Sequence, residues 1–334
     1  MAPGGVVSVL LAGVLALGVS GCAATTPGAA PGAALDVSPA PFAIDQDFAD
    51  PDVLLVDDTY YAYATNSLVA NVQYATSSDL DSWEVADTDV FPELPEWADT
   101  RKTWAPDVSD RGDGTFLLYF TAADKASGKQ CIGVATAPAA TGPFVGDPSP
   151  LICPIDQGGA IDASSFVDLD GSRWVLWKND GNCCALDTWL QITPLSADGL
   201  TVTGDTTKLI KQTQGWEGDV VEAPVLVRGP DDRYVLFYSA NSYADESYAM
   251  GFATASTIVG PYVSDPRPLL STDSTNERYL GPGGQDLVFA PGAGGAGTPS
   301  RIVLHSWDPA YVYRGLSVLD LDWIDGRPSV RLPG

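Results

Sequence analysis

Short runs of alternating apolar and polar residues make up most of the chain, and turns rich in Gly, Asp and Pro separate them. A period of two residues predicts β-strands that are buried on one face, whereas a helix would show a period of about 3.6. Stretches of ten or more residues with a convincing helical period are not found in the sequence. The pattern therefore predicts an all-β fold and disfavours an α/β fold.

The alternating pattern recurs in five units, each with an acidic or Pro-containing opening, an apolar strand, a turn and an aromatic strand. A second strand pair follows in each unit, which gives about four strands per unit. Four-stranded units at this period are typical of a β-propeller, whereas a β-sandwich would not repeat one internal order. We therefore predict a five-bladed β-propeller over residues 42–334, with residues 291–297 as a glycine-rich hairpin loop. The units begin at Asp50, Ala105, Asp162, Glu222 and Gly284.

The openings of the five units carry the candidate chemistry, because the first strand of each propeller blade lines the central channel. Equivalent positions should form one ring, and three of its members are carboxylates: Asp50, Asp162 and Glu222. Converging carboxylates repel each other and raise at least one pKa, which is costly unless the group is used. Two carboxyl groups, one protonated and one ionised, are what cleavage of a glycosidic bond requires. Capping of turns by each Asp and chelation of calcium by all three carboxylates are the competing interpretations.

Aromatic and amide side chains near the same openings are candidate sugar-binding residues. Trp104 precedes the second opening and Trp216 lies before Glu222, so each ring could stack on a sugar or pack into the core. Asn179 and Asn241 end the second strands of their units, where an amide can hydrogen-bond sugar hydroxyls. A repeated structural role is favoured for the aspartates that recur two residues into three units: Asp52, Asp107 and Asp286.

The N-terminus has the features of a bacterial lipoprotein signal. Residues 6–19 form an apolar run too short to span a bilayer comfortably, and Leu17 to Cys22 resemble a lipobox, although no Lys or Arg precedes the run. We expect residues 1–22 to be a signal peptide with Cys22 as the lipidated residue; an ordinary secretory peptide is the alternative. Residues 23–41, rich in Ala, Pro, Gly and Thr, are expected to be a flexible linker. The protein would then be extracytoplasmic, anchored to the outer face of the cell membrane, or otherwise secreted.

Four further cysteines are an even number, which permits disulfides in a secreted chain. We favour a bridge between Cys131 and Cys153, which the repeats place on neighbouring strands of one blade. Cys183 and Cys184 would then form a vicinal disulfide or remain thiols. Metal binding by the cysteines is disfavoured, because no CxxC spacing occurs and the chain has one His.

The charge of the chain excludes one class of partner. Asp and Glu number 43 against 17 Lys and Arg, a formal net charge of −26, so the surface repels nucleic-acid phosphates and anionic lipid headgroups. A neutral ligand is compatible with this charge, and the nine Trp and thirteen Tyr could supply stacking faces. We expect a neutral oligosaccharide or polysaccharide as the partner, no nucleic acid, and membrane contact only through the lipid anchor.

Four segments resemble, in order and at comparable spacing, the blade openings of glycoside hydrolase family 43. They are ADPDV from Ala49, WAPDV from Trp104, IDASSFVDLDG from Ile161 and EAPVL from Glu222. The resemblance implies a five-bladed propeller that cleaves arabinose- or xylose-containing polysaccharides with inversion of configuration. By motif, Asp50 resembles the general base and Glu222 the general acid, while Asp162 resembles the residue that orients the acid and keeps it protonated. The carboxyls of Asp50 and Glu222 should then lie roughly 6.5 to 9.5 Å apart.

The resemblance leaves the substrate and the metal open. An α-L-arabinofuranosidase or arabinanase is favoured over a β-xylosidase, since no C-terminal β-sandwich is expected after the propeller. Many members use a channel His of a Gly-Pro-Gly-His run to hold Ca²⁺ or waters; this chain reads Gly-Pro-Gly-Gly from Gly281, which leaves His305 as the candidate ligand. We expect no required cofactor, with a structural Ca²⁺ in the channel as an open alternative. A non-catalytic carbohydrate-binding propeller lipoprotein is the alternative of another class.

Overall fold

The computed structural model describes residues 42–290 and 297–333, in which nearly all regular structure is β-strand. Within these ranges, twenty-one strands form five antiparallel sheets, and in each sheet the first four strands pair in chain order. The predicted all-β, five-bladed propeller is confirmed.

The strands of blade 1 are β1 (Asp52–Val56), β2 (Thr59–Ala64), β3 (Gln73–Ser77) and β4 (Glu84–Val85). Blade 2 has β5 (Trp104–Asp110), β6 (Phe116–Ala123), β7 (Gln130–Ala137) and β8 (Val145–Gly146), and blade 3 has β9 (Ala160–Val167), β10 (Arg173–Asn179), β11 (Trp189–Leu195) and β12 (Thr207–Lys211). Blade 4 has β13 (Val221–Arg228), β14 (Tyr234–Ala240), β15 (Ala249–Ala255), β16 (Val263–Ser264) and β17 (Leu270–Ser271), the last paired with β15. Blade 5 has β18 (Leu280–Val288), β19 (Arg301–Trp307), β20 (Arg314–Ile324) and β21 (Arg327–Arg331). Short 3-10 turns occupy Ile155–Gln157, Gly181–Cys184, Gly215–Glu217 and Asp273–Thr275.

Five hydrophobic clusters lie between neighbouring blades and hold the ring together. The cluster that closes the ring joins Val53 of blade 1 to Val303 and Leu316 of blade 5. A backbone bridge between Ile44 and Leu316 adds to this closure. Full burial of each large apolar side chain contributes about 1.5–3 kcal/mol, so the blades are stabilised mainly by each other.

Each blade has a bend where its inner strand begins. At this point one residue per blade has a positive φ, between 41° and 57°, and in blades 2 to 5 the pairing with the second strand shifts register. A side chain other than glycine is strained in this conformation and keeps it only where neighbours fix the backbone. The five residues are Asp50, Ala105, Asp162, Ala223 and Gly284.

Glu222 therefore lies one residue before the position that the repeats assigned to it. The prediction aligned Glu222 with Asp50 and Asp162, whereas the backbone aligns Ala223 with them. A bulge interrupts the alternation of side chains, which allows Glu222 to reach the same cavity from the preceding position. The alignment was wrong by one residue, but the three carboxylates do converge.

Two disulfides join the four cysteines of the described residues. Cys131 of β7 is bonded to Cys153, in the segment that leads to β9, so this predicted bridge is confirmed. Cys183 and Cys184 are bonded to each other at the end of a 3-10 turn. Of the two alternatives for this pair, the structure contains the vicinal disulfide.

Several predicted features lie outside the described residues: the signal peptide, Cys22, the linker 23–41 and residues 291–296 of the glycine-rich segment. The strands that flank this segment, β18 and β19, pair antiparallel, as the predicted hairpin requires. Across residues 42–290 and 297–333, no helix is long and apolar enough to cross a membrane.

Candidate active site

A cavity of about 430 Å³ opens where the inner strands of the blades begin. Three of the residues that line it are Asp50, Asp162 and Glu222, which we call the mouth carboxylates. Two residues farther along three inner strands, the same cavity is lined by a second set, which we call the channel carboxylates: Asp52, Asp107 and Asp286. The structure therefore brings together all three residues predicted to be catalytic.

Asp50 is surrounded by groups that favour its ionised form. Thr65 donates a hydrogen bond to Oδ2 at 2.7 Å, and the Arg314 guanidinium lies 3.7 Å from Oδ1. Burial alone would raise the pKa of Asp50, but Arg314, His305 and Thr65 together hold that pKa below its ordinary value. Asp50 is thus a carboxylate at neutral pH and can accept a proton.

Glu222 is held at both oxygens. Its Oε2 accepts a hydrogen bond from Lys178 Nζ at 3.0 Å, and its Oε1 accepts one from the Tyr248 hydroxyl at 2.8 Å. Burial raises the pKa of Tyr248 well above its usual range, so the phenol remains a donor. Lys178 belongs to blade 3 and Tyr248 to blade 4, so groups from two blades fix the Glu222 carboxyl.

Asp162 interacts with Glu222 through its charge and is bonded to the backbone next to Glu222. Its Oδ2 accepts a hydrogen bond at 2.9 Å from the backbone N–H of Ala223, the residue that follows Glu222. Burial, and then the charge of Glu222, raise the pKa of Asp162 to about 7 against the opposing effect of Lys178. Asp162 therefore retains a proton up to near-neutral pH.

The channel carboxylates have a different environment, because each bonds to the backbone of the next blade. Three N–H···O bonds of 2.8 to 2.9 Å join Asp52 to Val108, Asp107 to Ser165 and Asp286 to Val53. They link blade 1 to blade 2, blade 2 to blade 3 and blade 5 to blade 1. This geometry agrees with the repeated structural role predicted for these aspartates.

Of the predicted sugar-binding residues, Trp104 lines the cavity and exposes 36 % of its surface. Tyr243, which the sequence analysis missed, lines the same cavity and is 54 % exposed. The Arg314 guanidinium lies over its ring, 5.3 Å from the centroid. The cavity thus offers two aromatic faces at its rim.

The other three predicted sugar-binding residues have different surroundings. Asn179 is buried, and its amide bonds to backbone groups of Gln157, Asp187 and Trp189, so the predicted contact with sugar is wrong for this residue. Trp216 stacks on Tyr238 and covers Gly251, where an added Cβ would lie 2.5 Å from the indole. Asn241 accepts a hydrogen bond from the backbone of Ser242. The position of Asn179 and Asn241 at the ends of second strands therefore did not predict whether their side chains point into the cavity.

His305 is fully buried behind Asp50, which it contacts. Its Nδ1 accepts the backbone N–H of Asp50 at 2.9 Å, and its ring stacks on Tyr248. Burial, and then Arg314, lower the pKa of His305 to about 3, so the imidazole is neutral. Among the described residues, no three His, Cys, Asp or Glu side chains are grouped so as to hold a metal ion. His305 does not by itself fit a calcium site, since its Nδ1 accepts the Asp50 N–H and its Nε2 lies 3.4 Å from the Arg314 guanidinium, and a structural Ca²⁺ stays a prediction.

A family model for glycosyl hydrolases family 43 matches residues 41–325. Among curated proteins, the β-D-galactofuranosidase xynD of Aspergillus niger is 27% identical over 266 residues, which are 72% of this chain and 72% of that protein. The extracellular endo-α-(1→5)-L-arabinanase 1 of Bacillus subtilis is 24% identical over 298 residues, 84% of this chain and 86% of that protein.

Solved structures agree with this match. A thermostable family-43 glycoside hydrolase is similar with a TM-score of 0.73 and 27% identity, covering 86% of this chain and 94% of the other. An endo-1,4-β-xylanase from Bacteroides thetaiotaomicron gives a TM-score of 0.73 at 25% identity, with 87% and 96% covered. Because the family model matches most of the sequence, this chain belongs to glycosyl hydrolases family 43 and is a hydrolase of glycosidic bonds.

Proposed function

We propose that the protein is an inverting hydrolase of α-L-arabinofuranosyl linkages, with Asp50 as general base and Glu222 as general acid. The observation that carries this proposal is the contrast between two carboxyl environments in one cavity. Asp50 is held ionised beside Arg314, whereas Glu222 is held by Lys178 and Tyr248 and interacts with Asp162, a buried carboxyl whose pKa is raised to about 7. One base and one acid are what a single displacement at a sugar requires.

In the proposed reaction, Asp50 takes a proton from a water molecule as the water oxygen attacks the anomeric carbon. The bond from this carbon to the leaving oxygen breaks, and Glu222 gives its proton to that oxygen. Asp50 ends protonated and Glu222 ionised, and exchange with solvent restores both. Attack from the face opposite the leaving group inverts the configuration, and we expect the two carboxyls to be roughly 6.5 to 9.5 Å apart.

Asp162 serves as the positioning residue for the acid in this scheme. It fixes the backbone beside Glu222 through the Ala223 N–H, and its charge disfavours loss of the proton from the pair. Trp104 would stack on the sugar ring at the rim of the cavity.

The choice of a furanoside rests on the relatives. The B. subtilis protein is named an arabinanase and the A. niger protein a galactofuranosidase, and both of these sugars have five-membered rings. A β-xyloside is the second candidate, because the B. thetaiotaomicron xylanase has the same fold. We further infer that the enzyme acts outside the cytoplasm, held by a lipid on Cys22, since the sequence before residue 42 resembles a lipoprotein signal.

The experiment is hydrolysis of three nitrophenyl glycosides, of α-L-arabinofuranose, β-D-galactofuranose and β-D-xylose, and of debranched arabinan. We expect the arabinofuranoside and arabinan to be cleaved, and proton NMR to show β-L-arabinofuranose as the first product. Retention of configuration would contradict the single displacement. Sugar binding without hydrolysis of any substrate would identify a non-catalytic carbohydrate-binding propeller instead.

A further inference from the structure

Near the end of the second strand of every blade, one equivalent position lies beside the mouth. In each blade this residue lies across from the residue just before the positive-φ residue of the inner strand. Strand pairing shows this in blades 2 to 5, and a backbone hydrogen bond shows it in blade 1. It therefore faces the strained backbone of the next blade. The five residues are Thr65, Thr121, Lys178, Ser239 and His305.

Four of these five side chains accept a hydrogen bond from the positive-φ residue of the next blade. The bonds are 2.9 to 3.2 Å long and satisfy a backbone N–H that the bulge leaves without a strand partner. The four pairs are Thr65 with Ala105, Thr121 with Asp162, Ser239 with Gly284, and His305 with Asp50.

Lys178 is the exception, because an ammonium group has no lone pair with which to accept. Its Nζ instead donates to Glu222 at 3.0 Å and to Asn182 Oδ1 at 2.8 Å. The N–H of Ala223, which an acceptor at position 178 would bond, is taken by Asp162. The lysine at this repeat position thus contacts Glu222 directly, and the Ala223 N–H is bonded by Asp162 instead.

Lys178 is fully buried, and a buried ammonium is costly unless opposite charges and hydrogen bonds compensate it. Glu222, Asp162 and, with a smaller effect, Asp180 are the acidic groups that act on it. On the other side of the cavity, Arg314 already compensates Asp50, and His305 is neutral. Lys178 is therefore the cation that balances the Asp162–Glu222 pair, and one positive charge balances the pair when it holds one proton.

We propose that Lys178 is a positioning residue of the reaction: its ammonium fixes the Glu222 carboxyl and limits the Asp162–Glu222 pair to a single shared proton. The proposal rests on the proposed function only in taking Glu222 as the acid. Without the ammonium, loss of the last proton would leave two buried negative charges uncompensated. The pair would then keep its proton to higher pH.

The test uses Lys178→Met, which removes the charge at similar length, and Lys178→Thr, which places there the residue found at this position in blades 1 and 2. In both variants we expect the alkaline limb of the pH profile of kcat/KM, measured with nitrophenyl α-L-arabinofuranoside, to move up by about one pH unit or more. Lys211→Met is the matched control, since Lys211 is half-exposed and pairs with Asp187. The control should leave the limb in place.

Unfolding temperature measured from pH 5 to pH 9 gives a second readout that needs no turnover. The pKa of Asp162 is raised in the folded protein, so the fold binds a proton that the unfolded chain has lost, and stability falls as pH rises toward about 7. In both Lys178 variants this fall should continue to higher pH. An unchanged kinetic limb, or in inactive variants an unchanged unfolding profile, would overturn the role of Lys178. A wild type that cleaves no substrate would instead refute the proposed function, while the unfolding profiles would still test Lys178.

Discussion

The mouth carboxylates and the channel carboxylates line one cavity, yet their contacts differ. Asp50 has Arg314 beside it, and Glu222 has Lys178. The channel carboxylates each accept a backbone N–H from the next blade, and in the described part of the chain no ion pair joins them to Lys or Arg. The same residue type can therefore link blades at one depth and be available for chemistry at another.

Asp50 differs from the channel carboxylates in protonation for the same reason. Burial raises the pKa of Asp107 to about 6, that of Asp286 to about 7 and that of Asp52 well above its usual range. At the mouth, a neighbouring cation holds the pKa of Asp50 low. A neighbouring cation distinguishes Asp50 and Glu222 from the channel carboxylates, and it is a more specific signal than the acidic residue alone.

The largest expected effect is that of Glu222→Gln, which removes the acid but keeps an oxygen that Lys178 can contact. Turnover of substrates with poor leaving groups should fall by a factor of about 10² to 10⁴, because the leaving oxygen receives no proton. Steady-state kinetics on debranched arabinan measure this, with the exposed Glu246→Gln as the unaffected control. A loss below tenfold would assign the acid to another group.

An intermediate effect is expected for Trp104→Ala, which removes an aromatic face from the rim of the cavity. Loss of stacking worth about 1.5 kcal/mol should raise KM for arabinan roughly tenfold with little change in kcat. Trp189→Ala is the matched control, since that ring packs under Lys208 and Lys211 in blade 3. Equal changes in both variants would show that Trp104 has no special contact with the sugar.

The smallest effect is on stability, in Asp107→Asn. Asn can still accept the Ser165 N–H but cannot ionise, whereas the raised pKa of Asp107 makes the wild type lose stability as pH rises from about 4 through about 6. We expect the variant to melt about 2–4 °C above wild type at pH 8. At pH 4 the two melting temperatures should agree. Lower stability of the variant at both pH values would contradict the ionisation argument.

Much of the fold and the three mouth carboxylates could be predicted, because the repeats show their period in the sequence itself. The register of Glu222 could not be predicted, since a bulge shifts side chains by one position without changing the apolar pattern. Lys178 was detectable in principle, because alignment of second-strand ends places it with Thr65 and Ser239. Tyr248 and Arg314 reach the site from a loop and from the start of a third strand, where the repeats carry no shared signal.

The most direct test compares kcat/KM, on the best arabinofuranoside at pH 6, for four single variants. Two are at the mouth, Asp50→Asn and Asp162→Asn, and two are in the channel, Asp52→Asn and Asp107→Asn. The account predicts losses of about 10² or more for the mouth variants. The channel variants, whose amides can still accept the backbone N–H of the next blade, should stay within about threefold of wild type. Equal losses in both pairs would contradict the division of the carboxylates into a reacting set and a structural set.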